Sequence, residues 1–101
     1  MTKSIGIIGT GHLGGMLIRG LINKKAVNPE QVYIYNRSEQ KSQLFKEEFP
    51  QICLVDSNKE LVTKADWIFL CVKPLDLPPL LAEIGTKFPP DKLIISTLLS
   101  P

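Results

Sequence analysis

Ser4-Ile5-Gly6-Ile7-Ile8-Gly9-Thr10-Gly11-His12-Leu13-Gly14 is the stretch on which the fold turns. Its apolar start predicts a strand over Ser4 to Ile8, interrupted at Gly6. Leu13, Leu17 and Leu21, with Met16 and Ile18 widening the stripe, predict an amphipathic helix that closes at Asn23-Lys24-Lys25. Between the two, Gly9, Gly11 and Gly14 fit G-x-G-x-x-G, and the position after a strand and at the opening of a helix gives that spacing its weight. Gly9 answers the demand for a tight turn, Gly11 lets backbone approach a diphosphate, and Gly14 allows close helix-to-strand packing. Amides at the helix start then face the phosphates, aided by the helix dipole. A glycine-rich turn that binds nothing is the bland alternative, which the strand-helix setting disfavours. Gly15 and Gly20 each cost a helix about 1 kcal/mol relative to alanine, and close packing against the sheet is their expected compensation.

Outward from this loop, Asn28-Pro29 turns the chain into a second strand, Val32-Tyr33-Ile34-Tyr35. In NAD-binding versions of such a unit, an acidic residue at the end of the second strand accepts hydrogen bonds from the ribose 2′-hydroxyl. Here that place reads Asn36-Arg37-Ser38. No carboxylate repels a 2′-phosphate, Arg37 can bind it or stack on adenine, and Ser38 can donate to it, so the expected cofactor is NADP and less so NAD. The plainer alternative makes Arg37 a solvated loop residue and Ser38 only the N-cap of the next helix. That helix would turn Leu44, Phe45 and Phe49 inward before Pro50 stops it.

The remaining elements follow the same alternation. Ile52 to Val55 is the third strand, and Ser57-Asn58-Lys59-Glu60 has the spacing of a capping box opening a short helix through Leu61 and Val62. Trp67 to Val72, apolar at every position, predicts a central strand covered on both faces and ending at Lys73-Pro74. Pro78 and Pro79 suit the first turn of a helix carrying Leu80, Leu81, Ile84 and Phe88, and Leu93 to Thr97 is the fifth strand. Right-handed crossovers then favour an α/β, Rossmann-type parallel sheet of order 3-2-1-4-5 with helices on both faces. Ligands in such sheets bind beyond the carboxyl ends of the strands. That selects the loops at 9–14, 36–38 and 72–74 and the segment after Thr97.

With 101 residues, 44% hydrophobic and 22% charged, the chain suits one domain, residues 1–101, able to sustain one core. A formal charge of +2 with scattered basic residues names no nucleic-acid partner, and no stretch approaches a membrane span. No leader is recognisable, and two cysteines are too few for a disulfide scaffold, so a reducing cytoplasm is the expected compartment. Cys53 and Cys71 fall on strands that the proposed order separates, which predicts buried apolar thiols that do not bridge. Trp67 reads as a packing residue. No His, Cys or carboxylate cluster has metal-ligand spacing, and no catalytic acid is identifiable; His12 reads as a loop residue beside the phosphates.

Taken together, Ile8 to Gly14, Asn36-Arg37-Ser38, Asp56-Ser57-Asn58, Leu70-Cys71-Val72-Lys73-Pro74 and Leu80-Leu81-Ala82-Glu83-Ile84 resemble the cofactor domain of the pyrroline-5-carboxylate reductase family, over the whole chain. That family reduces a cyclic imine to proline with hydride from NAD(P)H. Carried over by position, the resemblance implies that Ile8, Gly9, Thr10, Gly11, His12 and Leu13 cradle the pyrophosphate, with Gly14 completing the loop. Asn36, Arg37 and Ser38 would meet the adenosine phosphate, and Asn58 would lie near the adenine ribose. Cys71, Val72, Lys73 and Pro74 would border the nicotinamide side, and Ser96, Thr97 and Leu98 would close it. It also implies a carboxyl-terminal helical domain, absent from this chain, that holds the substrate and makes a homo-oligomer, so that these residues alone would not turn over substrate.

Where the family usually has small residues and a glycine after the fifth strand, this chain reads Leu98-Leu99-Ser100-Pro101. A divergent relative of the family, encoded with bacterial late-competence genes, shares the resemblance. Three functions are therefore in play. The first is the NADP-binding part of an imine reductase of proline biosynthesis. The second is a reductase-like protein with altered or lost catalysis in a regulatory role, motivated by Leu98-Leu99. The third is an interaction module using Arg19, Lys24 and Lys25, which leaves the glycine loop unexplained.

Overall fold

The computed structural model describes residues 3–9, 11–85, 88 and 90–96, and of His12 the backbone only. Five strands, β1 (Ile5–Ile8), β2 (Val32–Tyr35), β3 (Cys53–Leu54), β4 (Trp67–Leu70) and β5 (Leu93–Ser96), form one parallel sheet of order 3-2-1-4-5. Between them run α1 (His12–Asn23), α2 (Glu39–Glu48), α3 (Asn58–Lys64) and α4 (Leu77–Ile84), with short 3-10 turns at Pro29–Gln31 and Pro74–Asp76. The expected order and the reversal of winding between β1 and β4 are both present.

Alternation along β1 divides the core into two layers. Ile5 and Ile7 pack with Val32 and Ile34 of β2, Ile18 of α1 and Phe45 of α2 on one face. Ile8 packs with Leu61 and Val62 of α3, Ala65, Ile68 and Leu70 of β4, and Leu80 of α4 on the other. Gly6 lies between Ile5 and Ile7, and its lack of a side chain admits α3. A Cβ there would stand 2.5 Å from Leu61 Cδ2 and 2.7 Å from Ala65 Cβ. What reads in sequence as an interruption of the strand is thus the seat of a helix.

The structure corrects several sequence expectations. In α1 the inward position is Ile18, whereas Leu13 and Met16 are 45% and 57% exposed. The helix turns its Gly14-Ile18-Leu21 line to the sheet, and Leu13 and Met16 lie to the side of it. In α2 Ser42 and Phe45 are buried and Leu44 is exposed, because Leu44 falls about 100° around the helix from Phe45. Gly20 is not explained by packing, since a Cβ there would meet nothing within 4 Å. Only one face of β4 is fully covered: Ile68 and Leu70 are buried beneath α3 and α4, but Trp67 and Phe69 on the α1 side are half-buried. Cys53 and Cys71 are free, as expected, but half-buried rather than buried, because each lies near the end of its strand. Strands three and four are also shorter than expected, at Cys53–Leu54 and Trp67–Leu70.

Local hydrogen bonding fixes where the elements begin. Ser38 caps α2, its Oγ accepting from the Lys41 amide at 3.4 Å. Ser57 caps α3, its Oγ accepting from the Glu60 amide at 3.0 Å. The second half of the expected capping box shifts by one residue, since Glu60 Oε1 accepts from the Asp56 amide at 2.8 Å. That bond holds the Glu60 carboxyl below its ordinary range, with the Lys64 charge assisting. α1 ends in a Schellman arrangement, in which Ala26 N donates to Leu21 O at 2.9 Å and Lys25 N to Ile22 O at 3.0 Å. Lys25 takes a φ of 59° to make it.

Candidate functional site

The loop between β1 and α1 is held from both neighbouring strands. Gly9 N donates to Tyr35 O at 3.0 Å, and Cys71 N donates to Ile8 O at 2.8 Å, so the ends of β2 and β4 flank it. Gly9 has a φ of +81°, which glycine alone adopts without strain, and a Cβ there would stand 2.7 Å from the Cys71 carbonyl oxygen. Gly14, one helical turn on, lies against the Gly9 carbonyl: its Cβ would be 2.6 Å from that oxygen. Gly11 is different in kind, because a Cβ there would meet nothing within 4 Å. Two of the three glycines therefore fold the loop, and the third keeps its outer surface low.

Above Gly11 the helix offers donors. The Gly15 amide bonds to Gly11 O at 2.9 Å, Gly11 at the N-cap brings no capping side chain, and no acidic residue stands in the first turn. Such a helix start carries partial positive charge and a set of amides suited to a phosphate. It opens on a cleft of about 520 Å³ whose walls include Ile8, Gly9, Gly11, Asn36, Arg37, Asn58, Cys71, Val72 and Lys73. That volume lies within the usual range for small-molecule sites.

Nine residues expected from sequence thus meet around one cleft. Others do not line it. Ser38 Oγ accepts the cap bond of α2, Gly14 is packed behind the loop, and Leu13 is exposed beside it. Pro74 starts an exposed 3-10 turn, and Ser96 ends β5 in register with Leu70, outside the cleft. Thr10, the His12 side chain, Thr97 and Leu98 lie outside the described residues.

Sequence reasoning missed Tyr35, Lys41, Asp76, Pro79, Leu80 and Glu83, which complete the walls. Lys41 stands in the first turn of α2, where its distance from the end of β2 is a matter of helix geometry and carries no motif. Asp76 and Glu83 come from the segment after β4. Arg37 Nη2 lies 3.4 Å from Asp76 Oδ1, which joins the two walls at the cleft mouth. Asn58 is 9% exposed and donates through Nδ2 to Glu83 Oε2 at 3.0 Å, while its Oδ1 is buried with no hydrogen-bond partner. Asn58 thus brings to the cleft wall a buried acceptor that no described residue satisfies.

Arg19 is engaged elsewhere. Its Nε lies 3.1 and 3.0 Å from the two Glu48 carboxylate oxygens, and its guanidinium sits 5.0 Å from the centre of the Phe45 ring, tying α1 to α2. That leaves the basic surface imagined around Lys24 and Lys25 without its third member. Among the described residues no three His, Cys, Asp or Glu side chains group as metal ligands, and no helix is long and apolar enough to cross a membrane.

Comparison with known proteins agrees with this geometry. Residues 4–100 match the family described as NADP oxidoreductase coenzyme F420-dependent. The chain is 40% identical over 92 residues to ComE operon protein 4 of Bacillus subtilis, covering 91% of this chain and 34% of the relative. It is 35% identical over 96 residues to pyrroline-5-carboxylate reductase of Escherichia coli, covering 95% and 35%. The NADP-bound pyrroline carboxylate reductase of Plasmodium falciparum superposes with a TM-score of 0.75 at 26% identity, over 94% of this chain and 33% of that one. The chain spans about a third of the length of these relatives.

Proposed function

This chain belongs to the NADP oxidoreductase coenzyme F420-dependent family, and from that membership we propose that it is the NADP(H)-binding part of a reductase acting on a cyclic imine of the pyrroline-5-carboxylate kind. The observation that carries the reading is the loop whose Gly14 rests on the Gly9 carbonyl and whose Gly11 faces outward, opening on a cleft that also presents Arg37 and Asn58. The amides after Gly11 suit the diphosphate. Arg37 and Lys41 suit a 2′-phosphate, and Asn58 suits the wall beside the adenosine. Val72 and Lys73 border the other end. The bound nucleotide supplies hydride; the chain's part is to hold it and to exclude water from the end of the cleft where it reacts. On this reading the imine pocket and the contacts of a homo-oligomer belong to a carboxyl-terminal helical domain, and the protein works in the cytoplasm.

The chain is also 40% identical to ComE operon protein 4, whose name assigns no reaction, and a second reading keeps the nucleotide site while catalysis is altered or lost in a regulatory role. One assay separates the two. The natural reading frame that carries this chain, given pyrroline-5-carboxylate, is expected to oxidise NADPH with saturation in both substrates. A protein that binds NADPH but leaves it unoxidised in the presence of the imine would reject the first reading and leave the second.

A further inference from the structure

The mouth of the cleft carries an ion pair in which nucleotide binding gives a role to Arg37 and none to Asp76. Arg37 at the end of β2 and Asp76 in the turn after β4 approach to 3.4 Å from opposite walls, with side chains 84% and 39% exposed. A pair so open to water contributes little to folding. Asp76 holds the N-cap position of α4, yet its carboxylate accepts no hydrogen bond from the helix. Two carboxylates line the cleft among the described residues, Asp76 and Glu83, and Glu83 is engaged by Asn58 at 3.0 Å. Lys41 and Lys73 share the cleft with Arg37, while Glu39 and Asp56 line a smaller recess that also includes Arg37.

Resting on the nucleotide reading above, we propose that Asp76 sets the preference between the 2′-phosphorylated and the 2′-hydroxyl nucleotide. The second strand ends without the carboxylate that accepts from a ribose hydroxyl in NAD-binding versions of the fold. Asp76 brings a carboxylate to that end of the cleft from the facing wall. A 2′-phosphate arriving at Arg37 must take the guanidinium from Asp76 and then stand beside a like charge, whereas a 2′-hydroxyl meets an acceptor. The penalty falls on one ligand alone.

The test is the dissociation constants of NADPH and NADH, read by nicotinamide fluorescence at one ionic strength, for the wild type and for Asp76→Asn. Asp76→Asn is expected to bind NADPH about five- to tenfold more tightly and NADH no better, the size expected of one solvent-screened charge contact. Asp76→Ala, which removes the acceptor as well, is expected to shift the ratio in the same direction by weakening NADH also. Thermal melts monitor folding of both variants. A wild type that binds both nucleotides, with ratios in the two variants within about twofold of it, overturns the role of Asp76 and spares the nucleotide reading. A wild type that binds neither overturns both.

Discussion

Gly20 and Gly6 look alike in the sequence and have opposite consequences in the fold. A methyl on Gly6 would drive into Leu61 and Ala65, while one on Gly20 would touch nothing within 4 Å on an exposed turn of α1. Gly20→Ala is therefore expected to stabilise the chain by about 1 kcal/mol through helix propensity and a less disordered unfolded state. Thermal denaturation should record a rise of about 4–8 °C for a domain of this size. At this scale the phosphate-loop glycines were legible because their spacing is local. The difference between Gly6 and Gly20 was not, because it depends on which helix arrives from elsewhere in the chain. Asp76 was invisible for the same reason, since nothing in Lys73-Pro74-Leu75-Asp76 says that Arg37 stands opposite.

Among elements, the junction of β1 with β4 depends on Ser4 and Asp66. The Ser4 amide donates to Asp66 Oδ2 at 3.1 Å, Asp66 N donates to Ser4 Oγ at 3.1 Å, and Trp67 N donates to Ser4 O at 3.0 Å. The Ser4 amide holds the Asp66 carboxyl below its usual range, with the Ser4 hydroxyl and the charges of Lys3 and Lys92 assisting. Folding lowers this pKa, so its stabilisation is complete above the unfolded-state value and is lost as pH falls through the folded one. Asp66→Ala is expected to cost about 1 kcal/mol near neutrality, less than a buried hydrogen bond to a charged group because solvent screens this carboxylate. It should also flatten the fall in stability below about pH 4. Urea titrations across that range decide it: an acid limb as steep as the wild type's would contradict the assignment. Element order, the Ser38 and Ser57 caps and the strand-four core were readable from periodicity and cap chemistry. The inward faces of α1 and α2 were read less well, because leucine counts do not report helix rotation, and Leu13, Met16 and Leu44 ended outside.

For the whole molecule, parallel alternation and handed crossovers placed β1 and β4 side by side, and the cleft follows from that adjacency. The nine expected residues gather there because they lie at strand ends or, like Gly11 and Asn58, at the helix starts that follow them, which the pattern located. Lys41, Asp76 and Glu83 join them from helical segments whose approach only packing decides. A diphosphate lying across Gly11 is the contact on which nucleotide binding turns, and Gly11→Ala isolates it. Apart from its chain neighbours, the added methyl meets no described residue within 4 Å, so the variant should melt as the wild type does. Calorimetric titration with NADPH is the direct measurement. Saturable one-to-one binding by the wild type is expected, weakened at least about tenfold in Gly11→Ala, or about 1.4 kcal/mol. Equal affinity in the two proteins, or no heat from the wild type, would contradict it.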